Sequence, residues 1–171
     1  MRGSVLFLFL GVLLVGEQAL AQKGDTTFSS KIRSVKLFRS GDPVSYPMIT
    51  LNSNEQLELH FDDLDGDVKF YYYSLQLCNT DWRPANLSPF DYWRGFITNR
   101  IGTYRVSNLV QTRYTHYQAV LPERNSGPTR GGNYLLRVFL NDDTNRVVFT
   151  QRVLVVNKKV SVGGSVLQAF R

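Results

Sequence analysis

The chain has 171 residues, a formal net charge of +6, 43% hydrophobic residues and a single cysteine, Cys78. One cysteine cannot form an internal disulfide, so the fold must be stabilised by packing, for which the hydrophobic content is sufficient. Beyond the N-terminus, no apolar stretch approaches the roughly 18 residues expected of a membrane helix. We therefore expect one disulfide-free domain with Cys78 buried in its core.

The first 21 residues have the three parts of a secretory signal peptide. Arg2 provides the positive start, residues 5–15 form an apolar run, and residues 19–21 are a small-x-small cleavage site. The apolar run is too short to span a hydrocarbon core of about 30 Å, which disfavours a retained anchor. We predict cleavage between Ala21 and Gln22, and export of the mature chain.

The mature chain begins with small polar residues and continues with strand-like patterns. Residues 22–30 predict a flexible leader, and after them apolar and polar residues alternate, as in Leu57, Leu59 and Phe61. Clusters of turn residues separate the alternating segments, and a loop with the composition of a hairpin turn joins the last two. The predicted strands are residues 32–38, 48–51, 57–61, 68–78, 114–121, 134–140 and 147–156.

About seven short strands predict an all-β fold, specifically an immunoglobulin-like antiparallel β-sandwich over residues 31–157. Tyr134 stands where a tyrosine corner would place it, with Leu136 at the position of the usual disulfide cysteine. A membrane β-barrel is disfavoured because residues 68–78 and 147–156 are apolar on both faces. Residues 158–171 are interpreted as the truncated start of a following linker or domain.

Residues 79–112, here called the aromatic lobe, lack alternation and are rich in aromatic side chains. So long a loop usually carries function or packs as its own unit. Its rings could anchor a protein interface, stack on sugars, or simply cover an edge of the sandwich. Eight arginines but only two acids lie between residues 83 and 137. This excess indicates either an acidic partner or anionic surface, or simply solvated strand faces with scattered arginines. The candidate partner interface is Trp82, Tyr92, Trp93, Arg94 and Phe96.

The sequence contains no catalytic constellation. The acidic turn from Asp63 to Asp67 is similar to a calcium loop but departs from the EF-hand pattern, and it is explained as a hairpin turn. His60 and His116 are far apart in sequence and lack ligand-like neighbours, so zinc is not supported. We expect no cofactor, no metal and no enzymatic activity, which leaves binding as the default role.

Several motifs occur in an order that resembles a known family. The motifs are Phe61-Asp62-x-Leu64, Tyr71-Tyr72-Tyr73, Asn79-x-Asp81-Trp82, Gly95-Phe96, Tyr104-x-x-Ser107, Tyr114-x-His116-Tyr117, Leu121-Pro122 and Gly132-Asn133-Tyr134. The series is similar to the N-terminal domain of the type IX secretion system plug protein of Bacteroidota, from about Ile32 to Val156. One departure, Ile97 where the family often has Asp, lies in the aromatic lobe.

The resemblance implies a non-catalytic, periplasmic protein, associated with the outer membrane, that plugs the periplasmic side of the type IX translocon. The implied partner is that outer-membrane β-barrel translocon, and the role needs no cofactor. Export also makes a nucleic-acid partner improbable, and no membrane span is expected. The alternative, from the residues alone, is an exported carbohydrate-binding or adhesion module.

Overall fold

The computed structural model describes residues 25–108, 113–160 and 163–164. These residues form the predicted all-β sandwich, with one helix of a single turn. The predicted signal peptide and its cleavage site lie outside the described residues. The elements are β1 (Thr26–Thr27), β2 (Ile32–Arg39), β3 (Met48–Thr50), β4 (Leu57–Asp63), β5 (Tyr71–Cys78), α1 (Pro89–Tyr92), β6 (Trp93–Arg94), β7 (Thr98–Arg100), β8 (Thr103–Val106), β9 (Thr115–Leu121), β10 (Gly127–Pro128), β11 (Gly132–Leu140) and β12 (Val147–Val156).

Two sheets make up the sandwich, with a small ribbon at one side. The first sheet has the strand order β1-β12-β11-β5-β7, and the second has the order β2-β4-β9-β8. A third pairing, β10 with β6, holds part of the aromatic lobe. The neighbours are antiparallel except β3, which runs parallel to the end of β12. Strand β5 lies between β11 and β7, which confirms its prediction as a central strand.

The core lies between the two sheets and is built around aromatic rings. Alternation along β4 buries Leu57, Leu59 and Phe61 completely, because successive side chains point to opposite faces. The Phe61 ring contacts Tyr71 and Phe149 of the first sheet, with centroids 5.1 and 5.0 Å apart. Such pairs contribute about 0.5–1.5 kcal/mol each beyond the area that they bury. The sheets are therefore joined by directional ring contacts as well as by aliphatic packing.

Cys78 is buried, as the sequence predicts, with 6% of its surface exposed. Burial raises the pKa of its thiol, because desolvation disfavours the thiolate. A protonated, buried thiol is a poor nucleophile and a poor metal ligand. Cys78 is therefore a packing residue at the end of β5.

Three segments differ from the sequence-based prediction. Strand β5 begins at Tyr71 rather than Val68, because the backbone N–H and C=O of Lys69 bond to the Tyr117 hydroxyl instead of a neighbouring strand. Thr26–Thr27, placed in the flexible leader, pairs with β12, whose edge offers unsatisfied backbone groups. In the aromatic lobe, strand β7 pairs with β5 of the first sheet and strand β8 pairs with β9 of the second. The irregular part of the lobe is therefore the stretch before β7, residues 79–97. Within the described residues, no helix is long and apolar enough to cross a membrane.

Candidate functional site

The aromatic lobe is fastened to the sandwich at a tyrosine corner. The buried Tyr134 hydroxyl donates to the carbonyl oxygen of Arg130 at 2.8 Å and lies 3.3 Å from that of Tyr92. The Thr129 N–H also donates to the Tyr92 oxygen, at 2.9 Å. Burial raises the pKa of Tyr134, so its hydroxyl stays protonated and able to donate. The predicted tyrosine corner is thus present, and it connects β11 to the lobe.

A one-turn helix forms the first exposed part of the lobe. The N–H of Ser88 donates to the Asp91 carboxylate at 3.2 Å, and Pro89 occupies the first helical turn, where a missing N–H costs nothing. This turn places Tyr92 inward, with 4% of its surface exposed, and Phe90 outward, with 81% exposed. Local capping chemistry therefore determines which aromatic ring faces solvent.

The next turn is fixed by a group of hydrogen bonds on one carbonyl oxygen. The Trp93 indole N–H lies 2.8 Å from the Phe96 oxygen and 3.0 Å from Ser126 Oγ. That Ser126 hydroxyl and the Asn99 amide donate to the same Phe96 oxygen, at 3.1 and 3.3 Å. The carbonyl oxygen of Phe96 thus accepts hydrogen bonds from three side chains, while the Phe96 ring remains 77% exposed.

Gly95 allows this turn to form. Its φ of +85° belongs to the left-handed region, which side-chain-bearing residues rarely adopt. A Cβ atom at this position would lie 2.7 Å from the Asn125 carbonyl oxygen and 2.8 Å from Ser126 Cα. Both contacts are with backbone held by the pairing of β6 with β10, so the loop has little room to yield. The turn is therefore rigid as well as exposed.

The structure divides the five predicted interface residues into three groups. Tyr92 and Trp93 are buried, so their placement on a partner surface needs correction: their rings pack against Tyr134 and support the lobe from below. Arg94 and Phe96 are exposed, as an interface requires. The fifth residue, Trp82, is partly buried.

Trp82 belongs to a separate part of the lobe. The Arg152 guanidinium lies over the Trp82 ring, 4.7 Å from the ring centroid. The backbone of Trp82 has a φ of +63°. Cation–π contacts of this kind contribute roughly 0.5–1 kcal/mol at exposed sites. One face of the Trp82 ring is therefore already covered by Arg152 of β12, on the outside of the first sheet.

Two exposed apolar residues in the irregular part of the lobe lie outside the predicted interface set. Leu87 and Phe90 are 43% and 81% exposed, and both flank the Ser88-Pro89 helix start. That dipeptide predicts the start of a helical turn, but it does not show which side chains near the turn face solvent. We use the name lobe surface for Leu87, Phe90, Arg94 and Phe96.

The lobe surface carries one unpaired cation. Within the described residues, the side chain of Arg94 makes no hydrogen bond or ion pair, whereas Arg83 pairs with Asp81 at 3.1 Å. Arg130 is likewise engaged, because its Nε donates to the Asp91 carbonyl oxygen at 2.9 Å. Arg94 is thus available for a carboxylate of a partner, beside exposed aromatic rings.

Comparison with known proteins identifies the family. Residues 32–157 match the family model described as the type 9 secretion system plug protein 1st domain. The chain belongs to this family. The plug-protein resemblance predicted from the motifs is therefore confirmed, over nearly the same residues. No curated protein matches the chain.

A solved structure shares the fold of this plug domain. A hypothetical protein from Parabacteroides merdae, known from a crystal structure, is similar to the chain with a TM-score of 0.73 and 31% identity. The match covers 78% of this chain and 34% of that one, so the chain spans about a third of the other protein's length. An alkylpurine DNA glycosylase from Pseudomonas fluorescens, bound to DNA with an abasic site analog, has 9% identity and a TM-score of 0.38 over 73% of this chain and 30% of its own, too low for any inference.

The acidic turn of the plug domain is a structural ion network. Asp63, Asp65 and Asp67 have carboxylate oxygens within 4.8 Å of one another. The Lys69 ammonium contacts all three, at 2.9 Å from Asp63 and 3.5 Å from Asp67. The buried Asp63 also accepts a hydrogen bond from the Tyr71 hydroxyl at 2.9 Å. A lysine thus supplies the positive charge that a calcium loop would take from an ion.

Lys69 remains charged in this position. Burial by itself lowers the pKa of Lys69, but hydrogen bonds to Asp65 and Asp63 outweigh that effect and raise it. The hydrogen bond from Lys69 in turn lowers the pKa of Asp65. The network therefore holds the turn between β4 and β5 through charge-assisted hydrogen bonds.

Proposed function

We propose that this plug domain is a non-catalytic interaction module that seals the periplasmic side of the type IX outer-membrane translocon. The family match over residues 32–157 carries the link to secretion. The predicted signal peptide, with cleavage between Ala21 and Gln22, supports a periplasmic location at the outer membrane. Sealing is a steric task that needs an interface and no cofactor.

The lobe surface is the partner-binding part of this proposal. Phe90 and Phe96 are large, exposed rings, and the backbone of Phe96 is already fixed by hydrogen bonds. A pre-organised surface loses little conformational entropy on binding, and aromatic and Arg side chains supply most interface hot spots. The unpaired Arg94 adds a site for a carboxylate of the translocon. Tyr92 and Trp93 act indirectly, by supporting this surface, and Trp82 lies in a separate part of the lobe.

The test is a pair of substitutions made at the chromosomal locus, so that the protein keeps its natural length. We expect Phe96→Ala and Arg94→Ala to reduce recovery of the translocon with the plug protein. Truncating a hot-spot residue costs about 2 kcal/mol or more, which corresponds to roughly a 30-fold loss of affinity. Thermal unfolding of each variant checks that the domain is still folded.

The matched control is Tyr46→Ala. Tyr46 is an equally exposed aromatic residue, 82% exposed, but it lies in the loop before β3 and outside the lobe. Recovery that is unchanged by the two lobe substitutions, or equally reduced by Tyr46→Ala, would refute the lobe surface as the contact. Retention on polysaccharide that depends on Phe96 would instead support the carbohydrate-binding alternative.

A further inference from the structure

Two histidines meet on the outer face of the second sheet. His60 lies on β4 and His116 on β9, 56 residues apart in sequence. Because Asp62 is directly opposite His116 in the β4–β9 pairing, His60 is the diagonal neighbour of His116. The Nδ1 atom of His60 lies 3.1 Å from the Nε2 atom of His116. The chain contains two histidines in all, and both belong to this pair.

The separation of the two nitrogens matches two ligands of one metal ion. Zinc binds imidazole nitrogen at about 2.0–2.1 Å, so two ligands of a tetrahedral site lie roughly 3.3 Å apart. The distance between His60 Nδ1 and His116 Nε2 has to increase by only a few tenths of an ångström, while the two rings turn so that both lone pairs point to the ion. Both rings are partly exposed, so water can complete the coordination.

A carboxylate lies behind each imidazole. Asp62 Oδ1 is 2.7 Å from the outer nitrogen of His116, and Glu58 Oε2 is 3.5 Å from the outer nitrogen of His60. Glu58 is itself oriented by the Ser40 hydroxyl, which donates to its other oxygen at 2.6 Å. A carboxylate that accepts the second N–H is the usual outer partner of a metal-binding histidine.

Proton placement favours a cation between the rings. The Nδ1 of His116 faces Asp62 and so carries a hydrogen, which leaves a lone pair on its Nε2. If neutral His60 donates its Nδ1–H to that lone pair, its other nitrogen presents a lone pair to the Glu58 carboxylate, and two acceptors face each other. A metal ion between the rings moves the His60 proton to the nitrogen that faces Glu58. The Nε2–H of His60 then faces the Glu58 carboxylate at 3.5 Å, and the Nδ1–H of His116 donates to Asp62 at 2.7 Å.

The neighbours hold the site in shape and limit its affinity. The Phe38 ring is stacked on His60, with centroids 5.4 Å apart and planes 8° apart, which restricts the imidazole. Lys36 and Arg105 are the register partners of His60 and His116 on the outer strands, and both are exposed. Their charges offset those of Glu58 and Asp62, so the site suits moderate rather than very tight binding.

We propose that His60 and His116 form a binding site for a divalent transition-metal ion that prefers imidazole, such as Zn²⁺. Glu58 and Asp62 act as outer partners that orient the two rings, and water supplies the remaining ligands. A bound ion bridges β4 and β9 and stabilises the second sheet, because it binds the folded chain only. Protons compete for the same nitrogens, so binding weakens as the pH falls.

The test follows both imidazoles by NMR while Zn²⁺ is added to untagged protein. Since the chain has two histidines, every imidazole signal reports on this site. We expect both histidines to shift together and to saturate at one ion per chain, and the melting temperature to rise. Ca²⁺, which prefers oxygen ligands to imidazole nitrogen, should leave both imidazoles unchanged. Zinc shifts at neither histidine, or at one alone, would overturn the proposal.

Substitutions separate the pair from other ligands. His116→Gln should abolish the saturable zinc binding, and Asp62→Ala should weaken it by about 10- to 100-fold. Asp65→Asn, in the acidic turn, and Cys78→Ser are the matched controls, and both should bind zinc as the natural chain does. Undiminished binding by His116→Gln contradicts the proposal. If a variant fails to fold, the titration of the natural chain still decides.

Discussion

The same chemical change at two buried tyrosines should alter stability in opposite directions. Tyr134 and Tyr73 both lie in the first sheet and are almost fully buried. The Tyr134 hydroxyl donates at 2.8 Å to the Arg130 carbonyl oxygen. The Tyr73 hydroxyl is buried without a hydrogen-bond partner among the residues that the structure describes. Replacing each by Phe removes one oxygen and leaves the ring in place.

The expected magnitudes follow from hydrogen-bond energetics. Tyr134→Phe loses a bond worth about 0.5–1.5 kcal/mol and leaves the Arg130 oxygen without its donor, so we expect a loss of about 1–2 kcal/mol. The Tyr92 oxygen keeps its bond from the Thr129 N–H, which limits the damage. Tyr73→Phe removes an unsatisfied buried hydroxyl, whose burial costs about 1–3 kcal/mol in mutational data. We expect this variant to be as stable as the natural chain, or more stable by about 1 kcal/mol.

Urea unfolding followed by circular dichroism measures both effects. With a slope of about 1–3 kcal/mol per molar urea, the midpoints of the two variants should differ by roughly one molar, with unchanged slopes. A Tyr73→Phe variant that is destabilised as much as Tyr134→Phe would refute the reasoning. That result would mean that the Tyr73 hydroxyl has a partner in solution.

Two further substitutions probe the lobe and the ion network. Gly95→Ala should cost about 2–4 kcal/mol, from a left-handed φ and overlap with backbone, while Gly102→Ala, which meets nothing within 4 Å, should stay within about 0.5 kcal/mol in the same urea assay. Equal effects would contradict the rigid turn. Lys69→Met should cost about 3 kcal/mol at pH 7, because it leaves the buried Asp63 charge without its cation, although Asp65 keeps its ion pair with Lys31. The folded pKa of Lys69 is raised, so its contribution is complete below the unfolded pKa of about 10.4 and is lost as the pH rises through the folded pKa. The stability gap between the natural chain and Lys69→Met should therefore narrow in strong alkali, and a gap that widens there would contradict the assignment.

The sequence could predict features that depend on short spacings. Strand β4 was predictable because burial of every second residue leaves a direct trace in Leu57, Leu59 and Phe61. The tyrosine corner was predictable because Tyr134 and its acceptor Arg130 are four residues apart. Even the lobe was recognisable, from missing alternation together with aromatic content. The sequence did not, however, show which of the aromatic rings of the lobe face solvent.

Contacts between distant segments were decided by the tertiary structure alone. Tyr92 and Trp93 resemble interface residues in sequence, yet the ribbon of β6 and β10 turns them into the core and leaves Phe90 and Phe96 outside. His60 and His116 have no sequence relation that suggests a shared site. Only the register of β4 on β9 brings their nitrogens within 3.1 Å, because a cross-strand neighbour is set by pairing and not by spacing along the chain.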